Sequence, residues 1–305
     1  MWLVDSMYVE SLNINNYRNY DELFIMFDKN TNILYGDNAQ GKTNILESIY
    51  MAATTKSHRG SKDREIIKIG EEESHIRLCI KKSDISHRID MHLRKSKNKG
   101  VAIDGLPIRR TTELFGLLNV IFFSPEDLSI IKNGPSERRR FLDLELCQLS
   151  RLYYQNLSSY SKILNQRNNL LKQIAYNKSL MDTLDVWNMQ LVDYGRKVIK
   201  ERQNFINMIN GSDARRFGSQ GQQRTVALSL KIAEIKLVKN IINDNPILLL
   251  DDVMSELDSS RREALLEEIK DIQTIITCTG YDDFIKEQVV INNVYHVING
   301  TVTKI

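Results

Sequence analysis

The sequence predicts an α/β protein in which a mixed sheet carries a small antiparallel β lobe and an antiparallel pair of helices. Three observations lead to this fold class. The continuous apolar run Pro246–Leu250 is typical of a strand buried on both faces of a parallel sheet. Short segments around 65–110 alternate between polar and apolar residues, as half-buried antiparallel strands do. From Leu142 onward, apolar residues recur in helical steps of three, four and seven.

The composition is that of an ordinary globular protein. Of the 305 residues, 42% are apolar and 27% are charged, which is enough for one large core or two unequal domains. Lys and Arg number 42 against 39 acidic residues, for a net charge of +3. A basic surface would therefore have to arise from local clustering rather than from bulk charge.

Nothing in the sequence indicates a membrane or an oxidising compartment. Cys79, Cys147 and Cys278 lie far apart and have neither metal-ligand nor redox spacing, so we expect reduced thiols. No apolar run approaches the roughly 18 residues that a membrane span requires. The N-terminus also lacks the pattern of a signal peptide. We therefore expect a cytoplasmic protein without membrane contact.

The main body is assigned to 1–142 and 212–305. Short apolar runs bounded by polar turns predict its strands, an Asn-Gly pair predicts a hairpin turn, and a helical stretch follows a glycine-rich turn. The predicted strands are Tyr8–Ile14, Leu23–Phe27, Asn32–Tyr35, Pro246–Leu250, Thr274–Thr277 and the hairpin Val297–Val302, and the helix is Thr43–Ala53.

A small antiparallel lobe is expected to be inserted in this body at about 65–110. Ile76–Ile80 and His87–Leu93 alternate in polarity, and Asp104-Gly105 is a turn signal. The Lys-rich link Arg94–Lys99 reads as an exposed hairpin tip.

A helical arm is predicted over 143–211. One amphipathic run extends from Leu142 to Ile174, and a second run from Leu184 to Phe205 keeps nearly strict heptad spacing. The connector Ala175–Ser179 is short, so the two helices should pack antiparallel. The alternative is a pair of ordinary helices that lie flat on the body, and we favour a projecting arm.

A phosphate-binding loop is the strongest motif in the chain. It has the form G-x-x-x-x-G-K-S/T and stands between an apolar strand and a helix, as the motif requires, which disfavours a chance glycine turn. Backbone amides and the helix N-terminus would surround the phosphates. We expect Lys42 to reach the outer phosphates and Thr43 to ligate Mg²⁺. The loop comprises Gly36, Asp37, Asn38, Ala39, Gln40, Gly41, Lys42 and Thr43.

A pair of acids follows the buried strand that ends at Leu250. An apolar strand delivers the carboxylate at its end to the edge of the sheet beside the phosphate-binding loop. We therefore expect Asp251 to be the second Mg²⁺ partner, through a water molecule, and Asp252 to orient or deprotonate an attacking water. The alternative, two aspartates that cap a turn, loses weight because the phosphate-binding loop is also present.

Two further motifs narrow the class. Phe217–Arg224 opens a helix and resembles the ABC signature, in which Ser219, Gly221 and Gln222 hold the most diagnostic positions. In that superfamily, the signature of one subunit caps the γ-phosphate bound by another, again through a helix N-terminus. Ser255–Asp258 resembles the D-loop, and the alternative for Asp258 is a helix cap.

These four elements in this order predict a P-loop ABC/SMC-type ATPase head. ATP and Mg²⁺ are the implied cofactors, with Lys42, Asp252 and Ser219 in catalytic roles. Asp258, Gly221 and Gln222 would join the phosphate-binding loop in holding the nucleotide. Since one chain contributes half of each composite site, a homodimer that forms on ATP binding is also implied.

At this point the sequence resembles the RecF family over nearly its whole length. The resemblance rests on Leu12–Tyr20, Lys56–Arg59, Phe123–Leu128, Gly134–Asp143, Gly218–Thr225 and Leu248–Asp258, together with the phosphate-binding loop. It implies an ATP-dependent DNA-binding repair protein that acts at single-strand gaps and junctions. It further implies RecR and RecO as partners in loading a recombinase, a place in the SOS response, and a weak, DNA-stimulated ATPase.

The chain departs from the family pattern at one place. The family has a further segment between the arm and the signature, including a Gly-Pro-His-Arg-Asp stretch. Here only a few residues separate Ile209 from Arg215, and the stretch is absent. We expect this shortening to affect the DNA-loading activity rather than the ATP site.

Contact with DNA would depend on basic clusters. If several lie on one face, they could neutralise phosphates and release counterions, whereas singly each is an ordinary solvated surface. Nothing resembles a base-reading helix, so binding should be independent of sequence. The clusters are Lys56–Arg64, Arg94–Lys99, Arg109–Arg110 and Arg138–Arg140, and Arg18 and Arg59 are candidates for contacts to the nucleotide.

Three alternatives remain. An SMC/Rad50-type ATPase of another DNA pathway is disfavoured because the arm is short and has no Cys-x-x-Cys hook. A transporter ATPase would carry a His in the strand after the acids, where this chain has Thr277 and Thr279. A non-catalytic binding module would have lost the acid pair Asp251-Asp252, which is present.

Overall fold

The structure, a computed structural model, describes residues 7–125, 127, 134–211, 223–280 and 291–305. Within these ranges the chain forms two six-stranded sheets and seven α-helices. The strands are β1 (Tyr8–Tyr17), β2 (Tyr20–Met26), β3 (Thr31–Tyr35), β4 (Glu73–Lys82), β5 (Ile85–Arg94), β6 (Gly100–Ile103), β7 (Leu106–Pro107), β8 (Val120–Phe123), β9 (Ile247–Asp251), β10 (Thr274–Cys278), β11 (Ile291–Ile298) and β12 (Thr301–Lys304). The helices are α1 (Lys42–Thr54), α2 (Asp63–Ile66), α3 (Pro135–Leu149), α4 (Arg151–Ile174), α5 (Leu184–Gly211), α6 (Gln223–Ile242) and α7 (Ser259–Glu268).

The first sheet is antiparallel and has the strand order β2-β1-β4-β5-β6-β7. Its strands alternate as the sequence pattern predicts: in β4, Ile76, Leu78 and Ile80 are buried, while His75 and Arg77 are exposed. One face of this sheet is therefore part of a core, and the opposite face meets solvent.

This sheet extends beyond the predicted lobe at 65–110. The structure places β1 and β2 in it, although the sequence pattern assigned both strands to the main body. In the register of β1 with β4, Ile14 lies opposite Ile76 and Leu12 opposite Leu78, so the two strands form one continuous buried apolar row. The pairing partner of a strand is a long-range property that alternation along one segment does not encode.

The second sheet is mixed and has the order β12-β11-β3-β10-β9-β8. The five strands from β11 to β8 are parallel, and β12 joins β11 through the predicted Asn299-Gly300 turn. All residues of β8, β9 and β10 are buried. The predicted strands at 246–250 and 274–277 are therefore confirmed to within one residue at each end.

The central strands of this sheet contribute side chains to two separate hydrophobic cores, one on each face. Ile247 and Leu249 pack on the side that holds α1 and the antiparallel sheet, whereas Leu248 and Leu250 pack against α6 and α7. Burial on both faces fixes the strand in place and holds its carboxyl end, at Asp251, beside the loop that follows β3.

The apolar run from Leu142 to Ile174 forms two helices, not one. The backbone of Ser150 is extended between α3 and α4, and its hydroxyl accepts a hydrogen bond from the Tyr153 amide at 3.1 Å. The arm therefore begins at Arg151, and the predicted boundary at 143 falls inside α3. A serine that can cap a helix N-terminus was the local signal for this break.

The two arm helices pack against each other, and it is their base that packs against α3 and α6 in the described part of the chain. Tyr153, Val198 and Phe205 are buried there together with residues of α3 and α6. At the far end, which closes through a 3₁₀ turn over Lys178–Thr183, Tyr176 is 95% exposed. These contacts support a projecting arm over helices that lie flat.

A buried cluster of charges joins α6 to its neighbours. Lys231 on α6 lies 3.2 Å from Glu234, and its Nζ donates to the Phe122 carbonyl of β8 at 2.8 Å. Glu145 of α3 is buried beside Glu234. Burial first, and then the negative charge of Glu234, raise the pKa of Glu145 well above its usual range.

The structure bears on the expected absence of membrane spans and on the three cysteines. Among the described residues, no helix combines the length and apolarity needed to cross a bilayer. Cys79, Cys147 and Cys278 are free thiols, of which only Cys278 is fully buried.

Candidate nucleotide-binding site

The loop between β3 and α1 is shaped by close packing at its two glycines. Gly36 has φ +153°, and a Cβ there would lie 2.2 Å from the carbonyl oxygen of Val297. Gly41 has φ +113°, and a Cβ there would meet the side chains of Asn19 and Tyr20 at less than 3.0 Å. Any larger residue would displace backbone or buried side chains, so both positions require glycine.

Lys42 begins α1 and is buried. Its Nζ donates to the carbonyls of Gly36 and Asp37 at 2.7 and 2.9 Å, so its charge is held inside the loop. No side chain caps the N-terminus of α1, where Gly41 is the N-cap residue. The first amides of the helix and the lysine therefore converge on one place, which suits a phosphate group.

Thr43, Asp251 and Thr277 form a hydroxyl–carboxylate cluster at the carboxyl edge of the parallel strands. The hydroxyls of Thr43 and Thr277 each donate to Asp251 Oδ1 at 2.8 Å, across 208 and 26 residues of chain. Burial raises the pKa of Asp251 above its ordinary value, and the two hydroxyl donors oppose that rise.

The spacing of this cluster fits Mg²⁺. In an octahedral Mg²⁺ site with oxygen ligands at about 2.1 Å, neighbouring ligands lie about 2.9 Å apart. The Thr43 hydroxyl and the Asp251 carboxylate are separated by nearly that distance. The two predicted metal ligands are therefore brought together, and oxygen donors are the kind that Mg²⁺ takes.

Asp252 has an unusual conformation at the end of β9. Its φ is +52°, which is uncommon for a residue other than glycine, and its amide donates to the Thr277 hydroxyl at 2.9 Å. Its Oδ1 is buried and has no hydrogen-bond partner among the described residues. The backbone is thus held so that a carboxylate oxygen beside Asp251 stays available, as the role of Asp252 on an attacking water requires.

Thr277 was not assigned to the site from the sequence, although it touches both aspartates. Its hydroxyl donates to Asp251 and accepts from the Asp252 amide. The sequence offered only its place at the end of an apolar strand, which is the same signal that identified Asp251. The parallel pairing of β10 with β9, in which Thr277 lies opposite Asp251, brings the two together.

Gln40 stabilises the loop by accepting hydrogen bonds from other parts of the protein. Its side-chain oxygen accepts from the Asn299 amide at 2.6 Å, and its carbonyl accepts from the amide of Gly300 and the side chain of Asn19. The turn between β11 and β12 therefore supports the phosphate-binding loop from outside. The sequence predicted this turn but not its partner.

Arg18 and Arg59 have different environments. The Arg18 guanidinium donates to both oxygens of buried Glu47 at 2.8 and 2.9 Å and is occupied there. Burial opposes ionisation of Glu47, but hydrogen bonds from Arg18 and Ser57 outweigh it and lower its pKa. Arg18 thus anchors α1, and its contact with a nucleotide stays a prediction. Arg59 donates to Asn44 at 3.3 Å, beside the first turn of α1.

The remaining predicted residues divide into two groups. Ser219, Gly221 and Gln222 lie outside the described residues, and α6 begins at Gln223, directly after them. Asp258 is described: it caps α7, where its carboxylate accepts from the Arg261 amide at 3.0 Å. The helix-cap alternative for Asp258 is therefore confirmed, and its D-loop role stays a prediction.

Comparison with known proteins agrees with this geometry. The family described as the RecF/RecN/SMC N-terminal domain matches residues 8–303. The DNA replication and repair protein RecF of Lachnoclostridium phytofermentans is 53% identical over 98% of this chain and 100% of its own length. That of Agathobacter rectalis is 51% identical over 97% and 99%. The alignments extend over 359 and 357 positions, more than the 305 residues of this chain, so these relatives contain residues that it lacks.

Solved structures of RecF proteins are also similar to this chain. A recombination mediator protein RecF of the RecFOR pathway, described as RecF-ATPrS, superposes with a TM-score of 0.90 at 29% identity over 99% of both chains. The RecF-ATP structure gives the same score and identity. A Smc head domain from Pyrococcus furiosus matches with a TM-score of 0.60 at 14% identity over 98% of this chain and 96% of its own, which is a likeness of fold.

Proposed function

The chain belongs to the RecF family within the RecF/RecN/SMC N-terminal domain group, and from this premise we propose that it is an ATP-dependent DNA-binding protein of replication and repair. The observation that carries the ATP-dependent part is the cluster of Thr43, Asp251 and Thr277 beside the phosphate-binding loop. It joins a phosphate site and a metal-ligand pair at one edge of the sheet, as ATP hydrolysis requires.

In this proposal each residue has a separate task. Lys42 and the amides from Gly36 to Thr43 bind the outer phosphates. Thr43 and Asp251 hold Mg²⁺, which when bound neutralises phosphate charge. The free carboxylate oxygen of Asp252 orients or deprotonates the attacking water.

The composite nucleotide site needs residues from a second copy of the chain. Ser219, Gly221 and Gln222 of one protomer would cap the γ-phosphate held by its partner, and Asp258 would approach across the same interface. ATP would then join two heads into a homodimer, and slow, DNA-stimulated hydrolysis would release them. RecR- and RecO-like mediators and DNA at single-strand gaps are the partners, in the cytoplasm and within the SOS response.

A groove beside the head supports the DNA part of the proposal. Basic residues from four separate segments line one cavity of about 520 Å³ between α1, α3 and the base of the arm, namely Lys56, Lys99, Arg139, Arg140 and Arg202. Arg109 and Arg110 are not among its lining residues. Three of the four basic clusters therefore share one surface.

Not every cation in this groove is equally available. Lys99 is ion-paired with Asp63 at 3.0 Å, Arg202 is bound to Asp143, and Arg140 donates to the His58 carbonyl. Lys56 and Arg139 are therefore the first candidates for phosphate contacts. Each such contact should contribute a slope of about −0.7 to −0.9 to the dependence of log affinity on log salt.

Sedimentation of the purified chain tests this function. With Mg²⁺-ATP the chain should form a dimer, and gapped DNA should shift that dimer further. Lys42→Met should stay monomeric, because loss of the buried cation removes about 2 to 5 kcal/mol of phosphate binding. A chain that binds ATP yet stays monomeric, with or without DNA, would refute the ATP-induced dimer while leaving the nucleotide site intact.

A further inference from the structure

Two histidines and a glutamate meet on the solvent face of the antiparallel sheet, far in sequence from the nucleotide residues. His75 of β4 lies directly opposite His92 of β5 in the register, and Glu73 precedes His75 by two residues on the same face. The residues between them, Ser74 and Leu93, point the opposite way and are fully buried. The buried neighbours hold the two strands, and hence the three outward side chains, in fixed positions.

The donor atoms of these three residues are close enough to share one ion. One ligand atom from each of Glu73, His75 and His92 lies within 4.8 Å of the other two, and the His92 Nε2 is 2.6 Å from a Glu73 oxygen. In a tetrahedral site with ligands at 2.0–2.2 Å, donor atoms lie about 3.3 Å apart. Small rotations of these partly exposed side chains would bring the donor atoms to that spacing.

The pairing of the two imidazoles is otherwise hard to explain. Their rings are stacked, with centroids 4.0 Å apart and planes inclined by 23°, and stacked rings cannot hydrogen-bond to each other. Among the described residues, the His75 ring has no hydrogen-bond partner. An ion shared by the two rings would give His75 the partner that it lacks.

The nearest cations are held elsewhere. Arg77 and Arg88 both donate to Asp90 at 2.7 Å, and Arg94 donates to the Asn98 carbonyl at 3.1 Å. Across the sheet, His92 lies opposite Gly100, which has no side chain, and a cavity of about 380 Å³ is lined by both residues. An ion beside His92 would thus meet open space, and the Arg94 guanidinium, 3.9 Å from the Cβ position of Gly100, is held by the Asn98 carbonyl.

We propose that Glu73, His75 and His92 form a binding site for a divalent transition metal of the zinc class. Two imidazoles and one carboxylate are a ligand set that Zn²⁺ takes, with a fourth position left for water or for a group from another molecule. Bound metal would cross-link β4 to β5 and stabilise the antiparallel sheet. Neither the nucleotide site nor the DNA groove shares any of these residues.

Zinc titration of the full chain, first dialysed against a chelator, tests the proposal. Calorimetry should report one Zn²⁺ per chain at this site, and Co²⁺ should give the visible bands of a four-coordinate ion. His75→Ala and His92→Ala should each weaken binding by at least about tenfold, since even outer-shell changes cost that much. Zn²⁺ should also raise the unfolding temperature of the parent but not of the His92→Ala variant.

His87→Ala is the matched control. His87 lies on the same strand as His92 and pairs with Asp104 at 2.8 Å, outside the cluster, so its loss should leave zinc binding unchanged. All three substituted side chains are at least partly exposed, and unchanged circular dichroism and ATP binding would verify folding. A parent chain that binds no zinc, or a His75→Ala/His92→Ala double variant that binds it as the parent does, overturns the proposal and leaves an ordinary surface ion pair.

Discussion

Two of the buried carboxylate clusters in the described part of the chain use their acids differently. At the edge of the parallel sheet, Asp251 is buried against two hydroxyl groups, and Asp252 beside it has an oxygen that no described residue hydrogen-bonds. Between α3, α6 and β8, Glu145 and Glu234 are buried with Lys231, whose charge lies 3.2 Å from Glu234.

Burial raises the pKa of acids in both regions, so a shifted pKa alone does not distinguish them. The difference lies in the partners. Asp251 is met by two neutral hydroxyls beside a phosphate-binding loop, and no cation of the described residues is hydrogen-bonded to it. The glutamates already have their cation within the protein. We therefore expect changes at the first region to affect chemistry, and changes at the second to affect stability.

The largest expected effect concerns catalysis. Asp252→Asn should lower the rate of ATP hydrolysis by about 100- to 10,000-fold, because the amide cannot take a proton from water. Nucleotide binding should persist, and the variant should remain dimeric with ATP. A steady-state phosphate-release assay measures the rate, and hydrolysis at the parent rate would remove Asp252 from the mechanism.

The second effect concerns stability. Lys231→Met should lower the free energy of unfolding by about 3 to 5 kcal/mol, because it leaves two buried carboxyl groups without their cation. Urea unfolding measures this, and ATP affinity of the folded variant should stay close to that of the parent. Lys236→Met on the same helix is the control: its ion pair with Glu268 is at the surface, and its loss should cost less than about 1 kcal/mol. Equal losses of unfolding free energy for Lys231→Met and Lys236→Met would contradict the difference between the buried cluster and a surface ion pair.

A smaller effect is expected at Thr277. Thr277→Val keeps the shape of the side chain but removes the donor to Asp251 and the acceptor for the Asp252 amide. We expect a loss of about 1 to 3 kcal/mol, shared between folding and Mg²⁺-dependent ATP binding. Calorimetry with ATP, with and without Mg²⁺, separates the two. Thr279→Val, two residues along the chain, is the control. An identical loss of stability and ATP binding in that variant would show that the hydrogen bonds of Thr277 do not support the site.

The smallest effect is a dependence on pH. The pKa of Glu145 is raised in the folded protein, so above about 4.3, the ordinary value for Glu, the folded state holds a proton that the unfolded state has lost. The stability of the parent should therefore fall as pH rises through this window, by at most about 1.4 kcal/mol per pH unit for one proton. Glu145→Gln has no such proton. Its stability relative to the parent should increase with pH in urea unfolding, and a constant difference would show that Glu145 is ionised in both states.

Much of the fold and the centre of the site could be predicted because both are encoded locally. The phosphate-binding loop is a contiguous motif, and Asp251 follows a contiguous apolar strand that the parallel sheet buries on both faces. The arm helices could likewise be predicted from the helical periodicity of their apolar residues. The prediction was limited where a break was signalled by a single residue, as at Ser150, which separates α3 from α4.

The features that could not be predicted depend on pairing between distant segments. Thr277 belongs to the site only because β10 pairs with β9, and β1 joins the antiparallel sheet only because its apolar row continues that of β4. Nothing in the local sequence around Arg18 indicated that its guanidinium would bind Glu47. In each case local sequence fixes the chemical character of the residue, while the tertiary fold decides its partner.

The turn at Asn299-Gly300 has a consequence for how the protein is made. This turn supports Gln40 of the phosphate-binding loop, yet it is translated 259 residues later. At about 5 to 20 residues per second, the ribosome needs roughly 10 to 50 s to cover that distance. The loop thus leaves the ribosome long before its support exists, and ATP cannot guide the folding of the nascent chain until that turn has been synthesised.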